Sequence, residues 1–467
     1  MEKEQEENGN RSQKTMEKEQ EENGNRCQKT MVKEQEENGN SSSCCSVLIE
    51  LPVGEAAAAE GAGPFNLEKA VCSHGLFMMA PNQWDPISRS LYRPLRLLDH
   101  HSPPLTVQVR ISQPTASTLH LRVYGTRCLS PQHRHSLLNQ VSRMLRLSEE
   151  EESKVREFRK IVEALHGEEE AAAECLRSFS GRVFRSPTLF EDMVKCILLC
   201  NCQFSRTLSM AKALCELQFE TQRPFSGVRA AEDDFIPKTP AGNELKRKLR
   251  VSKVSMRLEG KFAEPRADHS KSDLQPSQEL DEPHAYKGMG SFPSPEELAN
   301  LDESFLAKRC NLGYRASRIL KLAKGIVQGI IQLMQLEEGC KEISLSSYNK
   351  LAEQLRQIDG FGPFTCANVL MCMGFYHVIP ADSETIRHLK QVHSKSSTMQ
   401  TVGRDVEGIY AKYAPFQFLA YWAELWHYYD QRFGKLSEMP FCGYKLITAS
   451  NMKMKATSKR TKVSDRE

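Results

Sequence analysis

A short segment in the last third of the chain, residues 351–382, constrains its fold more than any other. Leu351, Leu355 and Ile358 recur at the spacing of one face of an amphipathic helix. The loop Gly360-Phe361-Gly362-Pro363 follows, and glycine permits a tight reversal with positive φ that leaves backbone amides uncovered. Proline is favoured in the first turn of a helix. The segment therefore predicts two helices joined by a tight turn.

Such a turn is suited to holding an anion. Amides at a helix N-terminus point outwards, and the helix dipole favours negative charge there, so a phosphate can bind. Contacts with phosphate position a protein on DNA without reading its sequence. An ordinary turn between two core helices is the alternative interpretation of the glycine pattern. Asp382, which follows Pro380-Ala381, adds a carboxylate a short distance downstream.

The hairpin, its glycine-rich loop and Asp382 together resemble the signature of the helix-hairpin-helix DNA glycosylase superfamily. Two other segments are similar to the 8-oxoguanine DNA glycosylases within it: Phe292–Leu298, which leads into Asn311–Ala316, and Leu199–Arg206, which resembles a loop that enters the DNA stack. The resemblance covers roughly residues 64–217 and 290–432. It indicates the branch that contains the 8-oxoguanine and 3-methyladenine II-like enzymes.

The resemblance implies that Asp382 is the catalytic residue. A carboxylate near the anomeric carbon can stabilise developing positive charge or activate water. Aspartate is also a preferred N-cap, so Asp382 could instead cap a following helix, and the two roles are compatible. By the same resemblance, Gly360, Phe361 and Gly362 bind a DNA phosphate.

Extruding a base from the duplex costs a few kcal/mol, and side chains must fill the gap that it leaves. The resemblance implies that Asn201 enters this gap, that Arg206 and Arg315 hold the orphaned partner base, and that Tyr314 wedges beside them. A Tyr-Arg pair at the start of a helix is also common on protein surfaces without any such role.

The expected base pocket departs from the family pattern. Phe364 stands where bifunctional members place the lysine that forms a Schiff base, so a lysine-dependent strand cleavage is not expected. Asn368 replaces a cysteine beneath the base, and Glu384 replaces a histidine that faces a phosphate. Tyr421 and Leu425 replace a glutamine and a phenylalanine that contact the base, although an aromatic residue on a helix is more often core.

These residues predict a monofunctional DNA N-glycosylase of base excision repair. It would remove a damaged base, an oxidised or alkylated purine, by hydrolysis from double-stranded DNA in the nucleus, as a monomer and without a cofactor. A catalytically idle protein of the same fold that binds damaged DNA is the alternative. A helical scaffold that does not bind DNA would require the three motifs to coincide by chance.

Composition narrows the remaining possibilities. The 467 residues contain no run of about 18 apolar residues that could span a membrane. The 15 cysteines are expected to be reduced thiols. Only Cys442 follows Asp382, which argues against a C-terminal iron–sulphur cluster, and the group Cys196, Cys200 and Cys202 lacks a second pair at zinc spacing. No metal site is predicted.

The predicted fold class is α+β, with an N-terminal antiparallel β domain of the TBP-like type before an all-helical core. Clear alternation predicts strands at 106–111 and 118–124, and a short helix is expected at 65–71. A threefold repeat beginning at Met1 is too polar to bury a core; a coiled coil is disfavoured because each copy contains Asn-Gly. The predicted divisions are disordered acidic repeats at 1–45, β domain at 46–130, helical core at 131–218 and 291–434, a disordered basic insertion at 219–290, and a basic tail at 435–467.

Overall fold

The structure is a computed structural model that describes residues 45–53, 64–97, 105–165, 170–222, 289–340, 344–448 and 451–452. The predicted N-terminal repeats, apart from Cys45, lie outside the described residues, as does most of the predicted insertion. All described residues belong to one compact unit. None of the helices found among them is long and apolar enough to cross a membrane.

The N-terminal part contains a five-stranded antiparallel sheet in the order β1-β5-β4-β3-β2. Along β4 and β5, alternate apolar residues such as Val109 and Leu121 are buried, as the period of two in the sequence predicts. The strands are β1 Ser46–Pro52, β2 Gln83–Asp85, β3 Ser90–Leu97, β4 Leu105–Thr115 and β5 Thr118–Tyr124. The prediction of an α+β fold with an N-terminal antiparallel sheet is confirmed.

The rest of the described chain is helical. The first helices are α1 Leu67–Val71, α2 Pro131–Leu145, α3 Glu149–Leu165, α4 Glu170–Ser178, α5 Leu189–Leu199 and α6 Phe204–Gln222. They are followed by α7 Pro295–Ala299, α8 Glu303–Arg309, α9 Arg315–Val327, α10 Leu333–Glu338, α11 Leu345–Arg356, α12 Pro363–Cys372, α13 Ser383–Val392, α14 Val402–Tyr410 and α15 Gln417–Phe433.

One predicted boundary differs from the structure. Within the helical core, α9 and α10 are separate helices because Gly329 adopts a φ of +73° that α-helix excludes. The predicted tail after Gly434 begins with two 3₁₀ turns, and it buries Leu436 and Tyr444. Periodicity could not reveal this packing, because single apolar residues in short turns leave no repeating pattern.

A buried charge cluster joins the sheet to the helices. Arg93 of β3 donates to Glu191 of α5 at 3.0 Å, and Lys195 lies 2.8 Å from the other carboxylate oxygen. Burial alone would raise the pKa of Glu191, but the two cations outweigh it and lower that pKa to about 2. Removing Glu191 would leave the buried cations Arg93 and Lys195 uncompensated, which costs about 3–5 kcal/mol. The cluster therefore fixes α5, and the loop after it, against the sheet.

Candidate functional site

Helices α11 and α12 form the predicted hairpin. Gly360 has a φ of +85°, and a Cβ there would lie 2.4 Å from Cδ of Arg318, so glycine is required. Gly362 caps α12 in an extended conformation with no side-chain cap, and Pro363 is the first helical residue. Gly362 and Pro363 are exposed. The hairpin loop therefore presents bare backbone to solvent at a helix N-terminus.

The loop amides are not equivalent. The Phe361 amide donates to the Ile358 carbonyl at 3.0 Å, and its side chain is buried in the core. The amides of Gly362 and Phe364 have no backbone acceptor among the described residues. Phe361 was expected to share in phosphate binding, but the structure assigns its amide to the turn and its ring to packing. The amides of Gly362 and Phe364 are available to an anion, and the amide of Gly360 likewise has no backbone acceptor among the described residues.

Next to the hairpin lies a cavity of about 520 Å³, within the range of about 300–1,000 Å³ that small-molecule sites occupy. It brings together Asp382 and all four residues predicted for the base pocket, and Asn201 also lines it. Further lining residues come from distant parts of the chain and are mainly apolar or aromatic; they include His74, Met78, Met79, Leu199, Phe204, Trp422, Trp426, Tyr429, Leu436, Ile447 and Thr448. None of the described lining residues is a lysine.

Asp382 is the N-cap of α13, as its alternative interpretation predicts. Its Oδ1 accepts hydrogen bonds from the amides of Glu384 at 2.9 Å and Thr385 at 3.0 Å. Its Oδ2 has no hydrogen-bond partner among the described residues and is left to the cavity. Burial raises the pKa of Asp382 above its ordinary value; the backbone hydrogen bonds oppose that shift and the charge of Glu384 adds to it. The carboxylate is thus oriented by one oxygen and available through the other.

Tyr421 and Asn368 form part of the cavity wall through their own hydrogen bonds. The Tyr421 hydroxyl lies 3.1 Å from Oγ1 of Thr385, the residue that Asp382 caps, and burial raises its pKa. Asn368 donates through Nδ2 to the Phe364 carbonyl at 2.9 Å, and its amide oxygen has no partner among the described residues. Tyr421 therefore supports the cap of α13, while Asn368 offers an acceptor to the cavity.

Sequence reasoning did not identify Phe418, Trp426 and Tyr429 as members of an aromatic column on α15. Phe418 stacks on Trp422 at a centroid distance of 5.6 Å, and Trp422 stacks on Trp426 at 5.5 Å. Trp422 and Trp426 line the cavity, as does Tyr429 further along the same helix face. The spacing of these residues by three or four positions was the available signal, but it does not distinguish a core stripe from a cavity wall.

Glu384 lies at the edge of the cavity and is already paired. Its carboxylate accepts from Nε of Arg387 at 2.8 Å and from the Tyr429 hydroxyl. Burial and the charge of Glu384 raise the pKa of Tyr429. Arg387 thus balances the charge of Glu384, a second carboxylate close to Asp382. The hydrogen bond from the Tyr429 hydroxyl fixes that ring in the cavity wall.

The loop after α5 borders the cavity. Asn201 is exposed and has a φ of +47°, a left-handed conformation that asparagine tolerates better than most residues. Arg206 is also exposed, and its guanidinium donates to the Asn311 carbonyl at 3.2 Å. Both side chains can therefore reach a ligand outside the protein, as their predicted roles require.

Arg315 differs from its predicted role. It is only 2 % exposed, and its guanidinium donates to the carbonyls of Cys200 and, at 3.3 Å, Asn201. Tyr314 is 47 % exposed, and the guanidinium groups of Arg315 and Arg318 each lie 4.6 Å from its ring centroid. The resemblance to the glycosylases implied that Arg315 contacts the orphaned base. In the structure, its guanidinium instead binds the backbone of the loop and supports it. Tyr314 remains available as a wedge.

These placements predict different effects for the two arginines. We expect Arg315→Ala to destabilise the protein by about 1–3 kcal/mol, because it removes the hydrogen bonds from a buried guanidinium to two loop carbonyls. Arg206→Ala should change stability by less than about 0.5 kcal/mol. Urea unfolding measures both changes in stability.

Arg206→Ala should instead alter binding to duplexes that differ in the base opposite a lesion. Equal loss of affinity for all duplexes would indicate that Arg206 contacts only phosphate.

The described chain is similar to solved DNA glycosylases. A structure of MBOgg1 with a low-affinity DNA ligand is 15% identical, with 83% of this chain and 96% of that chain covered and a TM-score of 0.46. The 3-methyladenine DNA glycosylase of Archaeoglobus fulgidus is 15% identical over 82% and 98%, with a TM-score of 0.48. The 8-oxoguanine glycosylase/lyase of Clostridium acetobutylicum, bound to DNA, is 12% identical over 77% and 92%, with a TM-score of 0.43.

No protein-family model and no curated protein matches the sequence. At such low identity and TM-scores, the likeness to these structures carries no conclusion about activity. A functional conclusion therefore depends on the hairpin, the loop and the cavity themselves.

Proposed function

We propose that this protein is a DNA N-glycosylase that hydrolyses the bond between a damaged base and its deoxyribose. The observation that carries the proposal is the position of Asp382: one carboxylate oxygen is fixed by helix capping and the other is open to an aromatic-lined cavity. The proposal includes a damaged purine as the substrate class, double-stranded DNA as the partner and base excision repair in the nucleus as the setting.

The surface around the cavity suits a bent, opened duplex. The free amides of Gly362 and Phe364 would bind one backbone phosphate at the N-terminus of α12. Asn201 and the exposed Tyr314 would occupy the space that the extruded nucleotide leaves, which offsets part of the cost of unstacking. The extruded base would enter the cavity and lie against the aromatic face of α15, since every base can stack on such a surface.

The reaction needs only a carboxylate and water. As the N-glycosidic bond breaks, its electron pair leaves with the base and positive charge develops on the sugar. Asp382 would stabilise this charge through its free oxygen and take a proton from the attacking water. The hydroxyl group adds to the anomeric carbon and the base nitrogen gains a proton, so the products are a free base and an abasic site.

Water is the proposed nucleophile because the cavity lining, as far as the structure describes it, offers no lysine amine. Phe364 occupies the wall beside Asn368, and the described lining residues include no lysine. A Schiff base with the sugar, which would permit strand cleavage, therefore has no lysine to form it. Alkali breaks the DNA backbone at an abasic site. Strand breaks that appear only after alkali therefore indicate hydrolysis by water, whereas breaks without alkali indicate cleavage by the enzyme.

We expect base release with no accompanying strand break. Duplexes that carry one oxidised, alkylated, deaminated or normal base would be incubated with the protein, and free base and strand breaks would be scored separately. Breaks should appear only after alkali treatment. Breaks without alkali would contradict the proposed hydrolytic mechanism while leaving the glycosylase activity intact.

Binding must be measured on the same duplexes. If the protein binds a damaged duplex but releases no base from any of them, the alternative function, a damaged-DNA-binding protein without catalysis, would replace the proposal. A protein that binds none of them would exclude both functions.

A further inference from the structure

On helices α13 and α15, a second polar cluster lies apart from the cavity lining. His388 belongs to α13, His393 directly follows that helix, and Glu424 belongs to α15. Each offers one ligand atom, and the three atoms lie within 4.8 Å of one another. Nε2 of His393 is 2.8 Å and Nε2 of His388 is 3.4 Å from Oε2 of Glu424. None of the three lines the cavity.

The cluster is shielded and its rings are held in place. The side chain of His388 is completely buried, whereas those of Glu424 and His393 are 13% and 23% exposed. His388 packs edge-on against Tyr421 at a centroid distance of 5.3 Å, and His393 packs edge-on against Tyr410 at 5.7 Å. The ligand atoms are therefore oriented by packing, and the His393 side remains open enough for an ion to enter.

We propose that His388, His393 and Glu424 form a binding site for a divalent metal ion, and that zinc fits this ligand set. Zinc binds imidazole nitrogen and carboxylate oxygen at about 2.0–2.2 Å in tetrahedral geometry, which separates its ligand atoms by roughly 3.3 Å. The His388 to Glu424 distance already meets this value. His393 would move back by roughly half an ångström, which its partial exposure permits.

Two imidazoles and one carboxylate leave a fourth ligand position in a tetrahedral site. The Tyr410 hydroxyl lies beside all three ligand atoms: it donates to Oε2 of Glu424 at 2.6 Å and is 3.2 Å from Nε2 of His388 and 3.1 Å from Nε2 of His393. Its oxygen therefore lies near the fourth ligand position, and a bound ion would replace the hydrogen bonds that now join these four groups. Sequence analysis predicted no metal site, since Glu424 is far from both histidines along the chain.

The position of the site gives it a structural role. Helix α13 carries Asp382 at its N-terminus and the two histidines towards its other end, while α15 carries Glu424 between the cavity residues Tyr421 and Leu425. A bound ion would tie α13 to α15 and so fix Asp382 relative to the cavity wall. This inference does not depend on the proposed function, because metal binding is measured without DNA.

The test compares metal binding by the full-length protein and three variants. Protein treated with a chelator would be titrated with Zn²⁺ against a chromophoric competitor, and with Co²⁺ followed by absorption. His393→Ala and Glu424→Gln remove ligands from a partly exposed part of the cluster. His427→Ala is the matched control, because His427 is exposed on α15 and bonds only locally to Gln431.

We expect one ion per chain, with visible Co²⁺ bands and no thiolate charge-transfer band. His393→Ala and Glu424→Gln should weaken Zn²⁺ binding by about 100-fold or more, since even outer contacts contribute about 10–100-fold. His427→Ala should bind as the wild type does. Zn²⁺ should raise the melting temperature of the wild type and of His427→Ala only.

Three results would overturn the proposal. The first is no tight binding of either ion by the wild type. The second is a thiolate charge-transfer band that assigns the ion to cysteines. The third is equal affinity of His393→Ala, Glu424→Gln and His427→Ala. Circular dichroism of each variant without metal would establish that a loss of binding does not reflect unfolding.

Discussion

Asp382→Asn should reduce base release by about 10³-fold or more while leaving damaged-duplex affinity nearly unchanged. Asparagine is as good an N-cap as aspartate, so α13 should keep its start. What the variant loses is the charge on the oxygen that faces the cavity, and electrostatic stabilisation of a charged transition state is worth several kcal/mol. Single-turnover base release and equilibrium binding to the same duplex would separate the two quantities.

A second capping aspartate provides the control for this experiment. Asp302 caps α8 by accepting from the Phe305 amide at 2.8 Å, and it does not line the cavity. If Asp382 acts only as a cap, Asp302→Asn and Asp382→Asn should both leave base release unchanged. A loss confined to Asp382→Asn would identify a chemical role for its carboxylate.

The raised pKa of Asp382 predicts how base release and stability depend on pH. Because burial disfavours the ionised form, base release should decline with falling pH at a higher pH than an ordinary aspartate would give.

The same burial makes the ionised carboxylate of Asp382 unfavourable to folding. Asp382→Asn should therefore be at least as stable as the wild type at neutral pH, and this advantage should disappear below about pH 3.8, where the unfolded chain is also protonated.

The two glycines of the hairpin should respond differently to alanine. Gly360→Ala should destabilise the protein by about 1–2 kcal/mol, because alanine resists a left-handed conformation and its Cβ would overlap Arg318. Gly362→Ala should fold nearly as well as the wild type, since its φ is −81° and nothing lies within 4 Å of the new methyl group. That methyl group would nevertheless stand where the phosphate is proposed to bind. We expect Gly362→Ala to weaken duplex binding about tenfold or more, the equivalent of one charged hydrogen bond.

Gly408→Ala is the matched control for both substitutions. Gly408 is exposed within α14 and has open space around it, so alanine there should raise stability by about 0.5–1 kcal/mol and leave DNA binding unchanged. Urea unfolding and fluorescence anisotropy with a labelled duplex would measure the two effects. If Gly362→Ala binds DNA as Gly408→Ala does, the hairpin loop is not the phosphate site.

The parts of this structure that sequence could predict are those with local signals. The hairpin follows from two glycines and a proline, the cap of α13 follows from an aspartate before a helical pattern, and β4 and β5 follow from strict alternation. Each signal lies within the element that it predicts or directly next to it, and its physical cause lies in the backbone of those same residues.

The parts that sequence could not predict depend on contacts between distant segments. Arg315 starts a helix in a pattern typical of DNA-contacting loops, yet tertiary packing turns its guanidinium towards the carbonyls of Cys200 and Asn201. Trp426 belongs to a stripe that would look the same in a solid core. His388 and Glu424 have no sequence relationship that indicates their approach. In each case the deciding neighbour comes from another element, so no pattern within one segment contains the information.

The cavity wall has a consequence for the order in which the protein matures. Its lining extends from His74, between β1 and β2, to Thr448, after the last helix. The ribosome delivers the chain from its N-terminus at about 5–20 residues per second. The wall residues from His74 to Asp382 are therefore synthesised before the aromatic face of α15 that closes the cavity. During that interval a nascent chain carries apolar wall residues such as Met78, Leu199 and Phe204 without their cover, which makes this part of the wall the expected point of chaperone contact.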